Sequence, residues 1–130
     1  MKAKRIDHVG IVVKDLDSAV ATYARNFGFS ADPSRGGEVP AMGIKNAFMP
    51  VGESDLEFIQ PLSGEGPVAQ FAAERGEGTF MLSIEVDDLD AQPAGVDLGE
   101  IQDVVQDAAP VAGRAPDLVQ VVALARIPRG

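Results

Sequence analysis

The sequence predicts an α+β fold built on a repeated strand–helix unit whose second copy is reduced or divergent. Three observations carry that prediction. Residues Ile6–Val13 end in a β-branched run, Ile11-Val12-Val13, that turns acidic at once, as strands do before a helix. The phrase then returns: Ile84-Glu85-Val86-Asp87-Asp88-Leu89-Asp90 keeps the Ile, Val, Asp, Leu and Asp of Ile11-Val12-Val13-Lys14-Asp15-Leu16-Asp17, at an offset of 73 residues. Finally, 130 residues with 45% hydrophobic content suffice for a single domain with its own core. In the repeat, His8, the one histidine of the chain, corresponds to Met81.

The elements follow in order. Strand Ile6–Val13 leads to a helix over Leu16–Phe27, where Leu16, Ala19, Val20, Tyr23 and Phe27 form one apolar stripe. Asp15 or Asp17 serves as its N-cap, and Gly28 sits where a left-handed cap ends it. Phe29–Pro40 reads as an irregular, mobile loop, with turn chemistry at Asp32-Pro33-Ser34-Arg35-Gly36-Gly37. Ile44–Val51 and Asp55–Leu62 are strands joined through Gly52-Glu53-Ser54. A short helix starts at Pro67, whose missing N–H had no partner there anyway, and Gly76 ends it. Thr79–Val86 is the next strand. Beyond Asp90, Pro93 and Gly95 interrupt what would be the second long helix, at about 3 kcal/mol for the proline. A better helix runs from Leu98 through Ile101, Val104, Val105 and Ala108 to Pro110, and Leu118–Ile127 offers a last strand.

Charge and composition exclude several function classes. A net charge of −9 without clustered Lys or Arg argues against nucleic acid. No apolar run approaches the roughly 20 residues of a membrane span. Zero cysteines exclude disulfides, thiolate catalysis and cysteine zinc sites, and cytoplasmic location is the simplest expectation. A charged ligand such as a CoA thioester would need local cations, for which Lys14, Arg35 and Lys45 are the candidates.

With these elements in place the chain resembles the vicinal oxygen chelate superfamily of glyoxalase I, bleomycin-resistance proteins and extradiol dioxygenases. Over residues 6–90 it is most similar to the methylmalonyl-CoA epimerases. The matching phrases are Ile6-Asp7-His8-Val9-Gly10-Ile11, Leu56-Glu57-Phe58-Ile59-Gln60-Pro61-Leu62, Gly66-Pro67-Val68-Ala69-Gln70-Phe71, Gly76-Glu77-Gly78 and Glu85-Val86-Asp87-Asp88-Leu89. The resemblance implies paired βαβββ modules forming a cupped mixed sheet: module one at 6–62, a linker helix at 63–78, and a divergent module two at 79–130. It also implies a divalent metal, Co, Mn, Ni, Fe or Zn, held by a His and a Gln or Glu from each module. The first pair falls on His8 and Glu57. The second pair is absent: Phe80-Met81 stands where the family has two histidines, and position 57 maps onto Gly130. Asn46 stands where bacterial epimerases place a carboxylate base.

Each of these residues also has a plain structural reading. His8 suits a hydrogen-bonded core histidine, and Glu57 a surface carboxylate on an alternating strand, although Leu56, Phe58 and Leu62 point to the opposite face as the packed one. Phe48, Phe80 and Met81 suit core or cleft lining. The expectation is an isomerase or lyase-type relative with a degraded metal site, in which Glu57 is the remaining catalytic carboxylate. Asn46, Phe48, Phe80 and Met81 would line a cleft for a small carboxylic acid, an acyl thioester or a natural product. The alternatives are a metal-free ligand-binding or resistance-type protein, and a metal-independent isomerase or cyclase using other residues. Because exposed sheet edges need covering, a homodimer is expected.

Overall fold

The first strand becomes a helix because an acidic residue caps it. In the computed structural model, which describes residues 3–86, 104–105 and 119–123, strand β1 spans Ala3–Val12 and helix α1 spans Leu16–Phe27. Of the two N-cap candidates it is Asp15 whose carboxylate accepts from the Ser18 N–H, at 2.9 Å. The adjacent orphan donor, Leu16 N–H, is satisfied from a distance by Gln60 Oε1 at 2.8 Å. The Ser18 N–H bond is the chief reason the Asp15 carboxyl titrates below its ordinary value. Gly28 closes the helix in the left-handed region at φ 71°.

Strand β2 (Gly37–Val39), a single 3-10 turn at Pro40–Met42, strand β3 (Ile44–Val51) and strand β4 (Ser54–Pro61) follow. The expected loop over Phe29–Pro40 is thus corrected at its end: Gly37–Val39 pairs antiparallel with Ile44–Asn46. Gly36 permits that pairing. Its φ is +93°, and a Cβ there would lie 2.7 Å from the Asn46 carbonyl oxygen. Helix α2 (Pro67–Arg75) and strand β5 (Gly78–Val86) begin and end within a residue of the positions read from Pro67, Gly76 and the apolar run.

The chain divides into two compact units, Val9–Phe80 and Met1–His8 with Met81–Gly130. In Val9–Phe80 the strand order is β2-β3-β4-β1. Its core is built from Val13, Leu16, Met49 and Phe58, with Ile11, Ala19, Val20, Tyr23, Ala47 and Leu56 packed around them. The Tyr23 and Phe58 rings lie 4.7 Å apart. One face of β3 and β4 therefore packs on the apolar stripe of α1, as the Leu56 and Phe58 pattern predicts. Leu62 lies beyond β4 and is exposed. Removing the buried Phe58 side chain would cost about 3–5 kcal/mol.

In the other unit, strand β7 (Val119–Ala123) pairs antiparallel with β5 and with strand β6 (Val104–Val105). This corrects the helix expected over Leu98–Pro110: Val104 and Val105 are in a strand. The remainder of that expectation, the ends of the strand at Leu118–Ile127, and Pro93, Gly95 and Asp87–Asp90 lie outside the described residues.

Candidate functional site

The face of β3 and β4 turned away from α1 gathers the chemistry of the first unit. Register pairs Phe48 with Glu57, Asn46 with Ile59 and Pro50 with Asp55. Side chains alternate along a strand, and directly opposed residues share a face, so Asn46, Phe48, Asp55 and Glu57 stand together. Glu57 is a buried carboxylate, only 7% exposed. Asn46 Nδ2 lies 3.5 Å from Glu57 Oε2, a long contact, while Asn46 Oδ1 is buried with no hydrogen-bond partner. An amide end in that state costs about 1–3 kcal/mol until something satisfies it.

The segment before β2 is clamped over this face. Arg35 donates from Nη2 and Nη1 to the two oxygens of Asp55, at 2.7 and 3.0 Å, and from Nε to Asp32 at 2.9 Å. Its guanidinium sits 4.8 Å from the centre of the Phe48 ring. The Asp32 N–H also donates to the Phe48 carbonyl, at 2.8 Å. The Ser34 hydroxyl, then the Ser34 N–H, then Arg35 hold the Asp32 carboxyl down at about 2. The bond to Asp55, above all, raises Arg35 above its ordinary value. Arg35 is thus already engaged twice, which leaves Lys14 and Lys45 of the three cations considered for a phosphorylated ligand.

The second cluster lies in the unit that holds residues 3–8 of β1 and 81–86 of β5. Arg5 Nη2 donates to Asp7 Oδ1 at 2.7 Å, and Arg5 Nε to Glu85 Oε2 at 2.6 Å. The other oxygen of Asp7, Oδ2, lies 2.8 Å from His8 Nδ1. Asp7, His8 and Glu85 are all buried. Ser83, fully buried on the Glu85 face of β5, keeps a hydroxyl with no hydrogen-bond partner.

Of the residues expected at the site, Asn46, Phe48 and Glu57 share one face of one unit. His8 and Met81 belong to the other unit. Phe80 and Met81 are consecutive in β5, so strand alternation sends them to opposite faces. Phe80 packs edge-on against Phe71 of α2, with ring centroids 5.2 Å apart. Phe80 has no donor, Met81 offers only a soft thioether, and among the described residues no three His, Cys, Asp or Glu side chains gather as ligands. Sequence reading missed both arginine clusters. The signal for one was the alternation Arg5-x-Asp7 beside His8; nothing local marks Arg35 as the partner of Asp55.

Comparison with known proteins supplies the wider frame. The pattern of the Glyoxalase/Bleomycin resistance protein/Dioxygenase superfamily matches residues 7–121. The human mitochondrial methylmalonyl-CoA epimerase is 33% identical over 67% of this chain and 49% of its own. The ethylmalonyl-CoA/methylmalonyl-CoA epimerase of Cereibacter sphaeroides is 29% identical over 65% of this chain and 63% of its own. Among solved structures, a Streptomyces coelicolor methylmalonyl-CoA epimerase variant in complex with 2-nitronate-propionyl-CoA superposes with a TM-score of 0.62 at 27% identity, covering 68% of this chain and 65% of that one. The Mycobacterium tuberculosis methylmalonyl-CoA epimerase gives 0.61 at 31% identity, over 68% and 59%. The chain spans about half the length of the human and bovine epimerases it matches. Among the described residues no helix is long and apolar enough to cross a membrane.

Proposed function

Because the chain belongs to the glyoxalase/bleomycin resistance/dioxygenase superfamily, we propose that it is an epimerase-like protein that binds a small carboxylic acid or acyl thioester against Asn46, Phe48 and Glu57. The observation that carries this reading is the buried Glu57 carboxylate beside an Asn46 amide whose other end has no partner. A buried carboxylate is a competent base for a proton next to a carbonyl once a ligand excludes water. The orphaned Asn46 oxygen accepts from a ligand hydroxyl or amide N–H, such as the amides of a thioester arm. Relatives solved with methylmalonyl-CoA and 2-nitronate-propionyl-CoA support the ligand class.

His8 and Glu57 are the candidate metal ligands that the resemblance leaves. Two ligands give a small chelate gain, so divalent metal binds weakly or not at all. Without a charge to hold an enolate the rate falls by about 10²–10³ for each missing group. The chain therefore catalyses little or no epimerisation, and proton exchange, where it occurs, depends on Glu57. In this reading the chain is one domain of two modules, 6–62 and 79–130, joined by the linker helix at 63–78. It works as a cytoplasmic homodimer, a state that sedimentation would report.

A second reading, a metal-free binding or resistance-type protein, is supported by Phe80-Met81, which stands where the resemblance implies two histidines. One experiment separates the two. Solvent deuterium incorporation into a methylmalonyl thioester is followed with and without added cobalt, for wild type and Glu57→Gln. Slow incorporation by wild type, insensitive to cobalt and abolished in the variant, supports the epimerase-like reading. Binding of the thioester with no incorporation supports the second. Rapid incorporation by both proteins, or strong activation by cobalt, would overturn the assignment of roles.

A further inference from the structure

The geometry points to Asp7 as the residue that fixes the tautomer of His8, placing the proton on Nδ1 and the lone pair on Nε2. The two oxygens of Asp7 are divided between two partners: Oδ1 accepts from Arg5 at 2.7 Å and Oδ2 faces His8 Nδ1 at 2.8 Å. Arg5 is itself anchored, through Nε to Glu85 at 2.6 Å and through Nη1 to the Ile6 carbonyl at 3.3 Å. A guanidinium can only donate, so Asp7 Oδ1 is an acceptor, and its carboxylate meets the ring nitrogen as an acceptor too. Its contact with Nδ1 therefore requires the imidazole proton to be there, and a neutral ring then carries its lone pair on Nε2.

Burial strengthens the argument. Asp7 and His8 are 5% and 7% exposed, so little water competes for either group. With one oxygen held by Arg5, the carboxylate cannot turn to offer the ring a different contact. Glu85, Arg5 and Asp7 thus form a relay of fixed contacts whose product is the orientation of one imidazole. Any partner of His8 meets an acceptor at Nε2, whether a ligand hydroxyl, an amide N–H or a Lewis acid. Asp7 is a positioning residue, and this inference rests on the functional reading only in treating His8 as facing a ligand.

The chain's single histidine makes the test direct. In ¹⁵N-labelled protein at about pH 8, where an ordinary imidazole is neutral, the two ring nitrogens of His8 report the tautomer. Wild type is expected to show Nδ1–H in about tenfold excess or more, the bias of a hydrogen bond to a charged group. Asp7→Asn, with its amide spectrum still dispersed, is expected to bring that ratio within about threefold of unity. Dominance of Nε2–H in the wild type overturns the inference, as does an unchanged ratio in a folded Asp7→Asn. Should that variant not fold, the wild-type tautomer alone decides. The readout needs no ligand, so failure of the thioester experiment leaves it intact, and the reverse holds too.

Discussion

Two arginines of this chain each hold a pair of carboxylates, yet the two clusters do different work. Arg35 turns two arms of its guanidinium onto Asp55, adds Asp32 through Nε and sits over the Phe48 ring. What passes onward stays within the loop, from Asp32 to Ser34. The cluster's product is a shape, a loop held down on β3. Arg5 instead splits its contacts between Asp7 and Glu85, and Asp7 spends its second oxygen on His8. That cluster ends on an imidazole, which the Asp7 contact orients. Each has one cation and two anions, so composition does not distinguish them. What does is where the buried carboxylate's oxygens go: Asp55 gives both to Arg35, whereas Asp7 gives one to Arg5 and the other to His8.

The contrast can be broken most directly by removing each arginine. Arg5→Ala leaves two buried carboxylates, Asp7 and Glu85, without their guanidinium, and about 3–5 kcal/mol of stability should be lost. Urea unfolding at neutral pH measures it. Arg35→Ala strands only one buried partner, Asp55, because Asp32 is a quarter exposed and keeps its Ser34 bonds. Its cost should be about 1.5–3 kcal/mol, that of hydrogen bonds to a charged group. If Arg35→Ala destabilises more than Arg5→Ala, the division into a shape clamp and a buried relay is wrong.

The smallest effect is the acid behaviour of the clamp. Asp32 is held at about 2 against an ordinary 3.8. A carboxylate with a depressed folded value stabilises the fold above its unfolded value, and that contribution disappears as pH falls through the folded one. The stability difference between wild type and Asp32→Asn, measured at neutral pH, should therefore shrink between about pH 4 and pH 2. A difference that persists undiminished at pH 2 would place its origin in packing rather than charge.

Legibility followed the range of the interactions. The ends of α1 are marked by Asp15 and Gly28, and those of α2 by Pro67 and Gly76, each within a few residues of the backbone group it satisfies. Strand β3 was readable from its own run and turn signals, to the residue. Strand β2 was not: three residues containing Gly37 carry no periodicity, and only pairing with β3 makes them a strand. Val104 and Val105 show the reverse error. Their apolar spacing fits a helix, but two adjacent β-branched residues fit a strand equally well, and β7 decides between them. At the site, Asn46 and Glu57 could be named from the resemblance, whereas the Arg35–Asp55 pair, 20 residues apart, could not.

By itself, the sequence determined the α+β class, the caps, the apolar stripe of α1 and a chemistry limited to one imidazole and scattered carboxylates. Those features depend on contacts between residues at most four apart, or on which residue types are present at all. Only the tertiary structure decided that Glu57 is buried beside Asn46, that Arg35 is used up on Asp32 and Asp55, and that Arg5 reaches Glu85. Cross-strand register and turns such as Gly36 set these outcomes. A shift of one residue in that register would carry every one of these side chains to the other face, at no change in composition.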